Sequence, residues 1–286
     1  MQHYLSLKDI DSLPQWVEEA RSLKANPLQY KALGQAKTVC LLFFNNSLRT
    51  RLSTQKAAMN LGMEVIVMNF GSEGWALEYG DGTIMDQGTS EHIKEAAQVV
   101  AQYCDIVAIR AFASLTDKEK DEAEVVMNGF KKYAGIPVVN MESSVGHPLQ
   151  ALPHAVANSF VEMMHLQDAD FVITHPKGYD LNPEVTKGAK IEYDQDKALE
   201  DADFVYVKNW SSYQDYGKVV NQDKNWTLTN KKLGKAKFMH CLPVRRNVVV
   251  ADEVLDGPNS LVIQQANNRT FSAQIVLKKL LESLGA

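Results

Sequence analysis

TVCLLFFNNSLRTRLSTQKAAMNLG, residues Thr38–Gly62, begins as an apolar run and passes directly into two arginines, a serine and a threonine. An unbroken apolar run bounded by turn residues reads as a strand buried on both faces, as in parallel sheets. The part that follows reads as a helix. Ser47 suits the N-cap, Gly62 suits the C-terminal stop, and Leu48, Leu52 and Met59 fall near one face. A helix N-terminus already carries about half a positive charge, so Arg49 and Arg51 in the first turn cost stability unless an anion sits there. Free backbone N–H groups, two hydroxyls and guanidinium forks suit a phosphate. The rival reading is a solvated helix start with incidental arginines, and the dipole penalty weighs against it. Neither a Walker-type loop nor GxGxxG follows a strand, so a small phosphorylated molecule is expected rather than a nucleotide.

The same alternation runs along the chain. Apolar runs at 63–70, 104–112, 136–141, 170–176, 189–194, 203–210, 236–243 and 260–265 (SLVIQQ) are separated by amphipathic stretches such as SEHIKEAAQVVAQY. Nine strand candidates alternating with helices predict an α/β fold of two doubly wound parallel-sheet domains with helices on both faces. The division falls at 1–142 and 143–286, with the last helix (271–286) returning to the first domain. Ligands of such sheets bind beyond the carboxyl ends of the strands. The exits carry Ser47 to Arg51, Arg110, Glu142 to His147, Lys208, His240-Cys241 and Asn267 to Arg269.

Bulk properties narrow the class. A formal net charge of −5 over 286 residues argues against nucleic-acid or anionic-membrane partners, which need a basic face. The N-terminus lacks the basic and apolar regions of a signal peptide, and no apolar run approaches the ~20 residues that span a bilayer. Three scattered cysteines make no disulfide framework and fit a reducing cytoplasm. No metal site is expected, since His240-Cys241 has no CxxC or HxxxH partner.

Several of these exits resemble the motifs of the aspartate and ornithine carbamoyltransferases. Ser47-Leu48-Arg49-Thr50-Arg51 resembles their STRTR carbamoyl-phosphate motif, and His147-Pro148-Leu149-Gln150 their HPxQ element. His240-Cys241-Leu242-Pro243 resembles HCLP of the ornithine branch, and Asn268-Arg269 its late ExNR arginine. The resemblance implies transfer of a carbamoyl group from carbamoyl phosphate to an amine, without cofactor or metal, in a homotrimer with active sites between subunits. It assigns Ser47, Leu48, Arg49 and Thr50 to the phosphate, Arg110 and His147 to the carbonyl oxygen, and Gln150 to the carbamoyl nitrogen. Arg269 and the Cys241-Leu242 backbone complete that pocket, and Arg49, Arg110 and His147 carry the catalysis.

The acceptor side departs from ordinary ornithine carbamoyltransferase, which grips a free α-amino group with an Asp before a Ser-Met-Gly loop. VKNWSSYQDYGKV (207–219) offers Lys208 instead, which pairs with a carboxylate and cannot accept from an ammonium. A masked α-nitrogen follows, and the stretches around Trp75, Glu142 and Lys208 resemble the N-acylornithine branch. Acetyl-using relatives tend to have a Glu in the element aligned with Ser90 and a Lys at that of Val249. A glutamate at 90 would repel a succinyl carboxylate, so N-succinylornithine is the expected acceptor. N-acetylornithine is the alternative, and a non-catalytic carbamoyl-phosphate-binding subunit the second. Trp75, Ser90, Glu142, Lys208 and Leu242 are the expected acylornithine contacts, and arginine biosynthesis the implied setting. One departure is larger. Between Gln150 and Ala151 the family has a helix, a further buried strand and a loop. Loss of a central strand would expose ladder groups, so an omitted segment is expected there.

Overall fold

Alternation along Thr38–Phe43 (β1) sends Val39, Leu41 and Phe43 into one core layer and Cys40 and Leu42 into another. This is the pattern of a strand covered on both faces. The structure is a computed structural model that describes residues 1–86, 88–151, 157–216, 218, 220 and 223–285. The chain forms two units, Met1–Pro153 with Asn268–Ala286, and His154–Asn267.

In the first unit, Glu64–Asn69 (β2), Ile106–Arg110 (β3) and Val138–Glu142 (β4) join β1 in a parallel sheet of order β2-β1-β3-β4. Helices Leu13–Ala25 (α1) and Arg49–Asn60 (α2) contribute Trp16, Leu23, Ala57 and Ala58 to one layer. Helices Ile93–Val100 (α3) and Val125–Tyr133 (α4) contribute Ile93, Ala97, Met127 and Phe130 to the other. The chain steps from β1 to β2 on one side and then crosses to β3 on the other. That reversal makes the carboxyl ends of β1 and β3 the switch point where ligands bind. The N-terminal segment adds an edge, Tyr4 bridging to Val139 beyond β4.

Two readings of α2 need correction. Leu48, not Ser47, is the N-cap residue, and no side chain caps the helix. The packed face is the small and polar one, Thr50, Ser53, Thr54, Ala57, Ala58 and Asn60, while Leu48, Leu52 and Met59 are exposed. Small residues let α2 approach its neighbours closely, and Asn60 then reaches Gln274 Oε1 at 3.0 Å.

The ninth strand is also corrected. The run SLVIQQ contributes only an isolated bridge, Ser260 to Phe238, and from Val262 to Ser283 the chain is one helix (α5). Val262, Gln265 and Arg269 are buried whereas Ile263 is exposed, a helical rather than alternating spacing. From Ala273 to Leu281, α5 packs into the first unit's core.

The second unit holds two separate parallel ladders among its described residues. Val172–Thr174 (β5) pairs with Lys190–Glu192 (β6), and Phe204–Val207 (β7) with Lys237–His240 (β8). Its core gathers on the second ladder, around Val205, Phe238, Val250 and Val254. Val249 is buried in that core and lines no surface. Residues 152–156, which follow the 150/151 junction, lie outside the described residues.

Candidate active site

Thr50, Arg110, Glu142, His147 and Arg269 come together in the first unit as one connected network. A register shift between Ile109 and Arg110 sets Arg110 opposite Glu142 instead of the apolar Met141. Bulges of this kind re-aim side chains beside functional sites. Arg110 Nε then donates to Glu142 Oε2 at 2.7 Å, and its Nη1 donates to the carbonyls of Asn45 and Asn46 at 3.3 and 3.1 Å. Those carbonyls lie at the exit of β1, so the guanidinium spans the switch point. Phe112, over whose ring Arg110 lies at 5.6 Å, is anchored by its N–H to Asn45 Oδ1.

On the other side, Arg269 of α5 donates through Nη2 to Thr50 Oγ1 and to His147 Nε2, the latter at 3.1 Å. All three side chains are buried. Arginine has no acceptor, so this bond needs Nε2 as its acceptor, which is the neutral Nδ1–H tautomer of the ring. Glu142 Oε2 lies 3.6 Å from the same nitrogen. The pair Arg110–Glu142 is almost wholly withdrawn from water, at 13 and 11% side-chain exposure. The network therefore holds two arginines, Arg110 and Arg269, and a single carboxylate, beside an α2 N-terminus with no acidic residue in its first turn. Such a surplus of donors and positive charge suits an anion with a developing oxyanion.

Glu142, expected at the acceptor substrate, accepts from Arg110 in the structure. Arg49 is half-buried in the first turn of α2. Arg51 turns aside, donating to Asn69 Oδ1 at 3.0 Å and lying over the Phe43 ring. Ser47 and Leu48 stand immediately before α2. Gln150 lies in the short helix Pro148–Ala151, and its side chain is outside the described residues. Trp75 (68% exposed) and Ser90 belong to a surface segment of the first unit, where Ser90 N–H donates to Ala76 O at 3.2 Å. Asp81 ties that segment to α4 by accepting from Lys132 Nζ (2.8 Å) and Tyr133 Oη (2.7 Å), and those bonds hold its carboxyl below the usual range.

In the second unit, Cys241 is buried and follows β8. Leu242 has φ of 54°, and its N–H is held by His240 Nδ1 at 2.8 Å. A non-glycine residue in that region is strained and is kept there by its surroundings. Next to Lys208, Asn209 donates to Pro243 O (3.1 Å) and accepts from Arg245 N–H (3.4 Å). This stitching brings Lys208 and Arg245 to the same end of the β7–β8 ladder. Neither enters an ion pair among the described residues, while the adjacent Arg246 is held by Asp252 and Asp256. Sequence reasoning passed over Arg245; its neighbour's two aspartates, six and ten residues on, were the available signal.

Comparison with known proteins adds the lineage. The profile of the aspartate/ornithine carbamoyltransferase carbamoyl-P binding domain matches residues 2–157, and that of the Asp/Orn binding domain residues 153–280. N-succinylornithine carbamoyltransferase of Bacteroides fragilis is 44% identical over 317 aligned positions, covering 99% of this chain and all of the relative. That alignment is longer than the 286-residue chain, so the relative carries residues this chain lacks. N-acetylornithine carbamoyltransferase of Xylella fastidiosa is 31% identical over 98% of both chains. The crystal structure of an acetylornithine transcarbamylase with acetylcitrulline superposes with a TM-score of 0.91 at 29% identity, covering 98% of this chain and 99% of that one. A variant of N-acetyl-L-ornithine transcarbamylase with one glutamate replaced by serine, solved with carbamyl phosphate and N-succinyl-L-norvaline, gives 0.90 at 30% identity, covering 98% of this chain and all of that one. The chain belongs to the aspartate/ornithine carbamoyltransferase family.

Proposed function

We propose that this protein transfers the carbamoyl group of carbamoyl phosphate to the δ-amine of N-succinyl-L-ornithine, giving N-succinylcitrulline and phosphate in cytoplasmic arginine biosynthesis. The observation that carries the reading is the Thr50–Arg269–His147–Glu142–Arg110 network at the switch point of the first sheet. It supplies cationic donors where a phosphate and a carbonyl oxygen would both need them.

In this reading the α2 N-terminus takes the phosphate through Ser47, the Leu48 N–H, Arg49 and Thr50. The carbonyl oxygen enters between Arg110 and Arg269 and takes over the Arg269 donor that His147 Nε2 holds. The neutral δ-amine adds to the carbonyl carbon, the C–O bond to phosphate breaks, and the amine proton leaves with the departing phosphate. Catalysis comes from holding the partners together and from donors already aimed at the oxygen. Gln150 holds the carbamoyl nitrogen, and Cys241 and Leu242 act through their backbone.

The acylated acceptor carries two carboxylates. Lys208 and Arg245 are two cations at one ladder end, and Ser90 leaves room and no repulsion where a glutamate would stand. The variant structures with N-succinyl-L-norvaline support the same logic, since there a transcarbamylase with a glutamate removed holds a succinyl ligand. Trp75 would then wall the acyl chain from a neighbouring subunit of a homotrimer. Its exposure, with that of Leu48, Leu52 and Ile84, fits a surface that another copy covers.

The experiment is to incubate the protein with carbamoyl phosphate and, separately, N-succinylornithine, N-acetylornithine or ornithine, and to measure ureido product. Product from N-succinylornithine is expected. Product from N-acetylornithine alone would overturn the acyl assignment, and saturable carbamoyl-phosphate binding with no product would favour a binding subunit.

A further inference from the structure

His147 does not hold itself in place. It ends a tight loop after β4, and the mechanism leaves unused a second set of buried polar groups around that loop. The Gly146 carbonyl, one residue before His147, accepts both from Ser143 N–H at 2.7 Å and from Ser143 Oγ at 3.3 Å. The Pro148 carbonyl, one residue after it, accepts from Tyr4 Oη at 3.2 Å. Ser143 Oγ in turn accepts from Asn140 Nδ2 at 3.0 Å, and the same amide donates to Leu5 O at 3.0 Å. Leu5 O can only accept, which fixes the orientation of the Asn140 amide. The N-terminal edge is itself sewn to β4, Tyr4 N–H to Val138 O (2.9 Å) and Asn140 N–H to Tyr4 O (2.8 Å).

These residue types are costly where they stand. Asn140 interrupts a buried strand, Val-Val-Asn-Met-Glu, and its Oδ1 is buried with no hydrogen-bond partner among the described residues. Burial of an amide is unfavourable unless its bonds do something. Tyr4 is fully buried, and burial pushes its phenol well above the ordinary range, so it remains a donor at any working pH. An apolar pair would have closed the edge more simply. The polar groups instead converge on the carbonyls flanking one side chain.

We infer that the N-terminal edge, through Tyr4, Asn140 and Ser143, is a clamp that orients the His147 imidazole, making these three residues positioning residues for carbamoyl transfer. The inference rests on the proposed reaction, but its geometry does not. A Ser143 hydroxyl that both donates and accepts relays the edge strand to Gly146. Tyr4 fixes the far side, leaving the ring between two anchored carbonyls with Nε2 aimed at Arg269. Neither anchor bonds α2 directly, so loosening one lets the ring swing and reaches Thr50 only by way of Arg269.

The test uses Ser143→Ala and the isosteric Tyr4→Phe in the full chain. Each is expected to lower kcat about tenfold, short of the roughly hundredfold that a full ångström of misplacement costs, with the KM for carbamoyl phosphate within about twofold. In a His147→Ala background Ser143→Ala should cause no further loss. Unchanged kcat in both variants, or a full additional loss in that background, would overturn the clamp. A second readout does not need turnover. ¹⁵N spectra of histidine-labelled protein should give His147 as a single Nδ1–H tautomer in the wild type and an averaged pattern in either variant; identical spectra would overturn the proposal. Absence of product from the wild type would count against carbamoyl transfer, while the spectra would still decide the clamp.

Discussion

Glu142→Gln separates two roles for one carboxylate. Its Oε2 accepts from Arg110 Nε at 2.7 Å, with both side chains about nine-tenths withdrawn from water. A hydrogen bond to a charged group is worth about 1.5–3 kcal/mol and a neutral one about 0.5–1.5. The amide oxygen of glutamine can still accept from Nε, so the loss is the difference, about 1–2 kcal/mol of unfolding free energy. Arg110 keeps its bonds to the Asn45 and Asn46 carbonyls, which limits the damage. Removing the one carboxylate from a cationic site should also leave the KM for carbamoyl phosphate unchanged or lower, since the phosphate loses a repelling neighbour. Turnover should fall, because Arg110 is less firmly aimed. Stability is best read by urea-dependent hydrogen exchange on peptides covering β1 and β3, which reports the first unit by itself. If the variant were as stable as the wild type and raised only the KM for the acylornithine, Glu142 would be an acceptor-binding residue, and the network account would fail.

Three further outcomes are expected. Ser90→Glu should lower kcat/KM for N-succinylornithine about a hundredfold or more through like-charge repulsion and spare N-acetylornithine, as competition assays with both acceptors would register. Lys208→Met should raise the KM for the acylornithine by about tenfold to a hundredfold, the worth of one charged hydrogen bond, while the KM for carbamoyl phosphate stays put. Asp81→Asn should speed hydrogen exchange over Glu78–Asp86 at neutral pH. The Asp81 carboxyl is held below its ordinary value of 3.8, chiefly by Lys132 and then Tyr133. Its contribution is therefore complete above that value and lost as pH falls through the lower folded one, so variant and wild type should converge in strong acid.

The strands of the first unit were legible because each is a short apolar run that alternates between two filled layers, and the helix start because its arginines contradict the dipole. The buried face of α2 was not. Leu48, Leu52 and Met59 obey the usual apolar periodicity, yet they face outward, because close packing against α5 selects Ala57, Ala58 and Asn60 instead. SLVIQQ misled for a related reason: its β-branched residues suit a strand, but the helix that carries Arg269 to Thr50 and His147 begins within it. The Glu142–Arg110 pair was invisible because it depends on a register shift, and no local pattern in Val-Val-Asn-Met-Glu announces one. Arg245 escaped because the bond that places it, to Asn209, spans 36 residues and leaves no local pattern.

The two units differ in how completely they satisfy their own sheets. In the first, β1, β3 and β4 are buried along nearly their whole length, and the phosphate-side network hangs from their exits. In the second, Val172 and Phe204 are exposed on short strands that pair on one edge only among the described residues. Parallel strands ordinarily lie inside a sheet with both faces covered and both edges paired. The groups proposed to handle the phosphate and the carbonyl oxygen are thus carried by strands buried along nearly their whole length. Lys208, Leu242 and Arg245 stand instead at the end of a two-stranded ladder, where Asn209 bonds Pro243 and Arg245. In the proposed reading, substitutions that change the acceptor should therefore disturb the first unit least, since the five interlocked side chains of the phosphate end lie in that unit and Lys208, Leu242 and Arg245 in the other.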